Sequence, residues 1–325
     1  MKKVLRVLGY AVLIILILVI GAMTYIKTML PNVGDAPDIK VEKTAMQLER
    51  GEYLANHVML CMDCHSTRDW SLFSGPMVEG TQGKGGEIFD QNLGFPGKYI
   101  APNITPYGLK DWTDGELLRA ITTGVARDGR ALFSIMPHHN FGLLDETDIH
   151  AVIAYIRSLN SIENVPEVSS SDFPMNFIIN TIPKKANLTK IPSKTDLINY
   201  GKYMITASGC SDCHTKQVQG KVVGQPYAGG FDFKLLDGSV VTSSNITPDK
   251  TTGIGSWTSD QFVNRFKVFQ DSSYVNPKVP SGEFQTIMPW TMYAGMDTVD
   301  IQAIFAYLQT LEPVSNMIEK FTAAK

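Results

Sequence analysis

Two short stretches of this chain have residue types and spacing that point to chemistry: Cys61-Met62-Asp63-Cys64-His65 and Cys210-Ser211-Asp212-Cys213-His214. In each, two cysteines three positions apart are followed at once by a histidine. That spacing suits covalent haem attachment, with two thioethers to one porphyrin and the histidine as proximal iron ligand. A thioredoxin-like pair needs a preceding strand in a βαβ context, and the flanking residues here read as helical. A shared zinc site needs closely spaced pairs, whereas 145 residues separate Cys64 from Cys210. The two motifs use all four cysteines in the chain.

An iron held by His65 or His214 alone is five-coordinate, and a carrier closes the other side with methionine or histidine. The sequence offers 14 methionines, and an internal repeat selects among them. Ile149 aligns with Ile301, Tyr155 with Tyr307 and Leu159 with Leu311, always 152 positions apart. The same offset pairs Met136 with Met288, in Ser134-Ile135-Met136-Pro137 and Thr286-Ile287-Met288-Pro289. Met136 and Met288 are therefore the expected distal ligands. His138 and His139 are nearby rivals but fall opposite Trp290 and Thr291. His57 and His150 have no matched partners and read as ordinary surface or satisfied histidines.

Elements that position these groups also occur twice. Opening helices are expected at Leu48–Leu54 and Ile198–Met204, with Gly51 and Gly201 at matched places. A glycine costs a helix about 1 kcal/mol relative to alanine, so its presence in both copies implies a close backbone approach. Asn103-Ile104-Thr105-Pro106 and Asn245-Ile246-Thr247-Pro248 match a glycosylation sequon, but their repetition points to a structural turn. Thr113 with Glu116 and Thr258 with Gln261 have capping-box spacing. Trp112 and Trp257, one residue earlier, are expected in the core. Asp145 and Asp297 are expected N-caps of closing helices that pack across Gly51 and Gly201.

Length and composition fit two ordinary globular units, with 325 residues, 44 per cent hydrophobic content and a net charge of -3. Nothing basic enough for nucleic acid is present. At the amino end, Lys2, Lys3 and Arg6 precede an uncharged run from Val7 to Ile26 that Lys27 ends. Twenty residues make about 30 Å of helix, enough to cross a bilayer core. The basic flank places the amino terminus in the cytoplasm and the rest outside, and no small-x-small cleavage site follows the run. Residues 1–27 are thus read as cytoplasmic end and membrane anchor, 28–43 as tether, 44–160 and 196–313 as the two repeats, 161–195 as linker and 314–325 as tail. The linker contains the apolar run Phe173–Ile179 and the basic residues Lys184, Lys185, Lys190 and Lys194, the latter read as a solvated face.

The order of opening helix, C-x-x-C-H, middle helix, distal methionine and aromatic-bearing closing helix resembles the class I cytochrome c family. Ser244-Asn245-Ile246-Thr247-Pro248-Asp249, Gly253-Ile254-Gly255-Ser256-Trp257-Thr258 and Ile287-Met288-Pro289 are similar to the cytochrome subunits of periplasmic alcohol, aldehyde and gluconate dehydrogenases. Phe173-Pro174-Met175-Asn176 shares that similarity. Those subunits usually carry three haem sites, where this chain has two, and its anchor is at the amino end. The resemblance implies an all-α fold of two tandem class I cytochrome c domains behind a transmembrane helix. It also implies two covalently bound haem c groups on Cys61, Cys64, Cys210 and Cys213, with iron ligated by His65, Met136, His214 and Met288. The expected protein is a single-pass inner-membrane electron carrier with its haem domains in the periplasm. Its donor would be a dehydrogenase or quinol-oxidising complex, and its acceptor a terminal oxidase or another cytochrome. A dihaem peroxidase or thiosulfate-oxidising enzyme is the catalytic alternative.

Overall fold

A computed structural model describes residues 1–324. Helix α1 (Lys2–Met29) buries no residue of its own and is long and apolar enough to cross a membrane or to serve as a signal sequence. The first copy contains α2 (Ala45–Tyr53), α3 (Cys61–Cys64), α4 (Asp114–Thr123), α5 (His138–Phe141) and α6 (Glu146–Ile156). After α7 (Met175–Ile178), the second contains α8 (Leu197–Ala207), α9 (Cys210–His214), α10 (Ser259–Lys267), α11 (Trp290–Tyr293) and α12 (Thr298–Leu308).

The expectation of a wholly helical fold needs one correction, because the described residues also form three small antiparallel sheets. One joins β1 (Ile88–Phe89), β2 (Gly97–Ile100) and β3 (Ser170–Ser171). A two-stranded ribbon joins β4 (Gln217–Val218) to β5 (Lys221–Val222). The third joins β6 (Asp232–Lys234), β7 (Val240–Thr242) and β8 (Phe321–Thr322). Ser170 pairs with Lys98, and Thr322, 152 positions on, pairs with Val240. The repeat therefore continues past both closing helices, and each copy recruits its following segment as an edge strand. Gly97, with φ of 153°, lets this edge close, since a Cβ there would lie 2.4 Å from the Ser170 carbonyl oxygen.

Local sequence explains the helices. Thr113 and Thr258 each accept from the backbone amide three residues on, while Glu116 and Gln261 return a bond to the cap, completing both expected boxes. Asp145 caps α6 by accepting from the Thr147 amide, whereas Asp297 occupies the cap position of α12 without a side-chain cap bond. The opening helices cross the closing helices where glycine removes the obstacle. A Cβ on Gly51 would sit 1.9 Å from the Ala151 carbonyl oxygen, and one on Gly201 the same distance from that of Ala303. Gly201→Ala is therefore expected to destabilise the protein by about 3 kcal/mol through forced separation of α8 and α12, read as a lower guanidinium midpoint.

The copies differ in length between the opening helix and the cysteines. The offset is 150 at Gly51 and Gly201 but 149 at Cys61 and Cys210. A π turn over Leu54–Val58 takes up the extra residue in the first copy, as such bulges do elsewhere. Both motifs then begin after a left-handed residue, Leu60 at φ 56° and Gly209 at φ 63°.

Apolar residues of both copies form one contiguous core that includes Leu54, Ile149 and Ile153 with Tyr200, Met204 and Ile301. Reciprocal hydrogen bonds stitch the copies together. Tyr53 donates to Asp300 Oδ2 at 2.6 Å and Tyr203 to Asp148 Oδ2 at 2.7 Å. The amides of Asp297 and Asp145 donate back to the same two phenols. Both carboxylates are buried, and each has a cation, Arg50 on Asp148 and Lys194 on Asp300. Burial, then the Asp300 charge, holds the Tyr53 phenol well above the ordinary tyrosine range, so it stays a donor.

The segment expected to act as a free tether packs at its end against the first copy. Pro37 presses on Gly115, and the Val41 amide donates to Asp114 Oδ2 at 2.9 Å. The linker is likewise pinned, its Asn187 and Thr189 amides donating to the Gly142 and Leu144 carbonyls. Lys194 is paired with Asp300, while Lys184 and Lys185 remain exposed, so the solvated-face reading holds for only part of the basic set.

Candidate functional site

Each C-x-x-C-H motif follows a helix rather than a strand, which removes the context of a thioredoxin-like couple. Burial pushes the Cys61, Cys64 and Cys210 thiols up to about 12, so at neutral pH they are thiols rather than reactive thiolates. Among the described residues no group of three or more His, Cys, Asp or Glu side chains converges as a metal cluster.

The histidines are set in the same way. His65 Nδ1 lies 2.8 Å from the Pro102 carbonyl oxygen and His214 Nδ1 lies 2.7 Å from that of Ser244. A carbonyl only accepts, so Nδ1 carries the proton and Nε2 keeps its lone pair, the tautomer an iron ligand requires. Burial lowers the pKa of both imidazoles, which favours that neutral form. These residues fit a proximal ligand.

Pro102 and Ser244 immediately precede Asn103 and Asn245, which gives the repeated N-I-T-P turn a role in aiming each imidazole. Asn103 Oδ1 accepts from the Thr105 amide and hydroxyl, and its Nδ2 donates to the Ile162 and Asn164 carbonyls. Asn245 repeats this with Thr247 and the Val314 carbonyl. Both asparagines are buried. Their amides are structural, as the repetition predicts, and are withdrawn from glycosylation.

Met136 and Met288 are half-buried against the core, each before a proline with nearly the same backbone, φ -79° and ψ 52° at Pro137 and φ -81° and ψ 64° at Pro289. The amide two residues on closes each turn, His138 onto Met136 and Trp290 onto Met288. Beyond this the copies diverge. Ser74, from the first copy, donates its hydroxyl to the Met288 carbonyl at 2.6 Å and accepts from the Trp290 amide at 3.0 Å. Its own amide donates to Gln285 Oε1. Arg68 binds the Ser74 and Gly75 carbonyls and pairs with Asp63 at 3.0 Å, tying the first motif to the turn that carries Met288. In return Asn140, following Met136, donates to Asp212 Oδ2 inside the second motif at 2.8 Å, with His139 beside it. Sequence spacing did not reveal Ser74, because it acts across the copies and has no repeat partner.

Ser74→Ala is expected to cost about 1 kcal/mol, since it removes two hydrogen bonds to partly buried backbone groups of the Met288 turn. Amide exchange should quicken from Gln285 to Trp290 but not around Met136, whereas a general loss of packing would quicken both.

The unmatched histidines separate in the structure. His57 Nδ1 lies 2.9 Å from the Met292 carbonyl. His150 is half-exposed near Glu146, but its Nε2 has no hydrogen-bond partner. His138 is fully buried with its Nε2 likewise unpartnered and its ring against Gly124. His138 is a sequence rival to Met136 for the distal position, and Trp290 replaces it in the second copy. Trp112 is half-buried on the core as expected, while Trp257 is 37 % exposed and lines an open cleft with Ser256, Gln261 and Arg265. None of the haem-motif residues lines that cleft.

Comparison with known proteins adds the chemical class. No protein-family model matches the chain. It is 26% identical over 303 residues to "Alcohol dehydrogenase (quinone), cytochrome c subunit" of Gluconacetobacter polyoxogenes, an alignment spanning 88% of this chain and 59% of the relative. It is 26% identical over 263 residues to "Gluconate 2-dehydrogenase cytochrome c subunit" of Pantoea cypripedii, spanning 76% and 54%. Both of these relatives are cytochrome c subunits. "Fructose dehydrogenase cytochrome subunit" of Gluconobacter japonicus is a third, 26% identical over 279 residues. The expected resemblance is thus found over most of the chain, which spans between about half and three-fifths of these relatives' lengths.

Proposed function

We propose that this chain is a membrane-anchored dihaem c-type cytochrome of two class I domains, carrying single electrons on the periplasmic side. The observation that carries the reading is the duplicated C-x-x-C-H whose histidine Nδ1 is held, both times, by the carbonyl before an N-I-T-P turn. Cys61 and Cys64 would hold one haem and Cys210 and Cys213 the other. His65 and His214 would ligate the two irons from the proximal side, and Met136 and Met288 from the distal side. Bound there, haem iron supplies one-electron oxidation and reduction. The protein's part is to hold the imidazoles neutral and aimed, to present thioether sulfur opposite them, and to keep both sites on one rigid core.

Methionine opposite histidine raises a haem potential, which suits the oxidising end of a respiratory chain. The relatives' names favour a dehydrogenase as donor, with this chain as a subunit or close partner of such a complex. A terminal oxidase or another cytochrome would be the acceptor. Helix α1 would hold the chain in the inner membrane with its amino end in the cytoplasm.

Intact-mass and iron analysis of protein purified from membranes tests this reading. Two covalent haem additions and two irons per chain are expected. One or none would overturn the dihaem proposal.

A further inference from the structure

The apolar run Phe173–Ile179 lies at the outer end of α1. Near this end of α1 the partly covered positions are Met23 and Ile26, with Leu30 just past the helix, and α7 packs against α1 here. Lys27 fixes the contact, donating to the Asn176 carbonyl at 2.8 Å and standing 4.9 Å over the Phe177 ring. Yet α7 does not bury its apolar surface in this contact. Phe173 remains 77% exposed and Ile178 45%, beside Tyr25 at 58% and Met29 at 61%.

Bulky apolar side chains left in water are costly, and their place decides what covers them. They flank the point where the uncharged span of α1 gives way to Lys27, the level at which a spanning helix leaves the hydrocarbon for the headgroups. We propose that the segment 173–178, which includes α7, is a second, interfacial membrane contact, with Phe173 and Ile178 entering the boundary between acyl chains and headgroups. The proposal rests on α1 being a retained membrane anchor. Exposed Lys184 and Lys185 follow within a few residues, and an ammonium is attracted to any anionic headgroup at that level.

The consequence concerns orientation. A single helix leaves a domain free to tilt and rotate above the membrane. A second contact fixes which face of the haem unit meets the lipid and which meets soluble partners. Pinning of residues 37–41 against α4 removes the slack that a free tether would restore.

Cysteine labelling in vesicles tests this. The full chain is reconstituted at low protein-to-lipid ratio into phosphatidylethanolamine–phosphatidylglycerol vesicles as the variants Leu18→Cys, Phe173→Cys, Ile178→Cys and Val275→Cys, each adding one cysteine to the four of the C-x-x-C-H motifs. Each must keep the parent Soret spectrum, and the unsubstituted chain supplies the blank. Val275, 81% exposed in the second copy, is the aqueous reference for a charged maleimide, and Leu18 is the mid-span reference. Phe173→Cys and Ile178→Cys should label at least about tenfold more slowly than Val275→Cys, as expected of apolar positions below the headgroups. Labelling of both as fast as Val275→Cys, with Leu18→Cys still protected, would overturn the interfacial contact and leave the anchor intact. Fast labelling of Leu18→Cys would defeat the anchor and the inference together.

Discussion

Replacing Cys210 and Cys213 together by alanine leaves a chain with one covalently attached haem, at the first motif. The four cysteines occur only in the two motifs, so no other thiol substitutes. Attachment at Cys61 and Cys64 should survive, because His65 is oriented by Pro102 within its own copy. Intact mass should fall by one haem and iron content should halve. Retention of two haems by the double variant would refute the attachment assignment. Loss of both would show that the copies cannot mature independently, a coupling for which the Arg68 and Ser74 bridge and the shared core would be the structural route.

Met288→Ala is expected to keep both haems covalently bound while lowering the potential of one by on the order of 0.1 V, within the roughly 0.8 V that axial ligation spans. The iron at the second motif would lose its thioether and open to external ligands. The turn around residue 288 should survive the substitution, since its hydrogen bonds use the backbone of Met288 and Trp290 with the side chains of Thr286 and Ser74. A potential change without unfolding is therefore the signature of ligation. Spectroelectrochemical titration resolves the two haems. An unchanged second potential, with the iron still closed, would exclude Met288 and turn attention to other groups of that turn.

Much of this architecture was legible in the sequence because the chain is written twice. The offset of 152 picked out Met136 and Met288 among the methionines, and the structure gives their prolines matching backbone. Gly51 and Gly201 foretold the helix crossings that the backbone contacts require. The N-I-T-P turns were recognisable as structural, but their service to His65 and His214 was not, since it depends on a carbonyl 30 to 37 positions away. What repetition cannot reveal is what the copies do to each other. Tyr53 on Asp300 and Tyr203 on Asp148 link residues far apart in sequence, and neither spacing nor periodicity carries such a pairing. Ser74 was missed for the same reason, and so was the edge-strand role of residues 170–171 and 321–322, whose ladders are only two residues long. The tether at 28–43 was legible as non-helical beyond Met29, but its sequence does not reveal that Pro37 and Val41 pack against α4.

The most direct test of the central claim is the Soret spectrum of the purified, reduced protein before and after carbon monoxide. Two irons each closed by histidine and methionine leave no free position, and the spectrum should not change under native conditions. A carbon monoxide complex at either haem would contradict that ligation and point to an iron open to substrate.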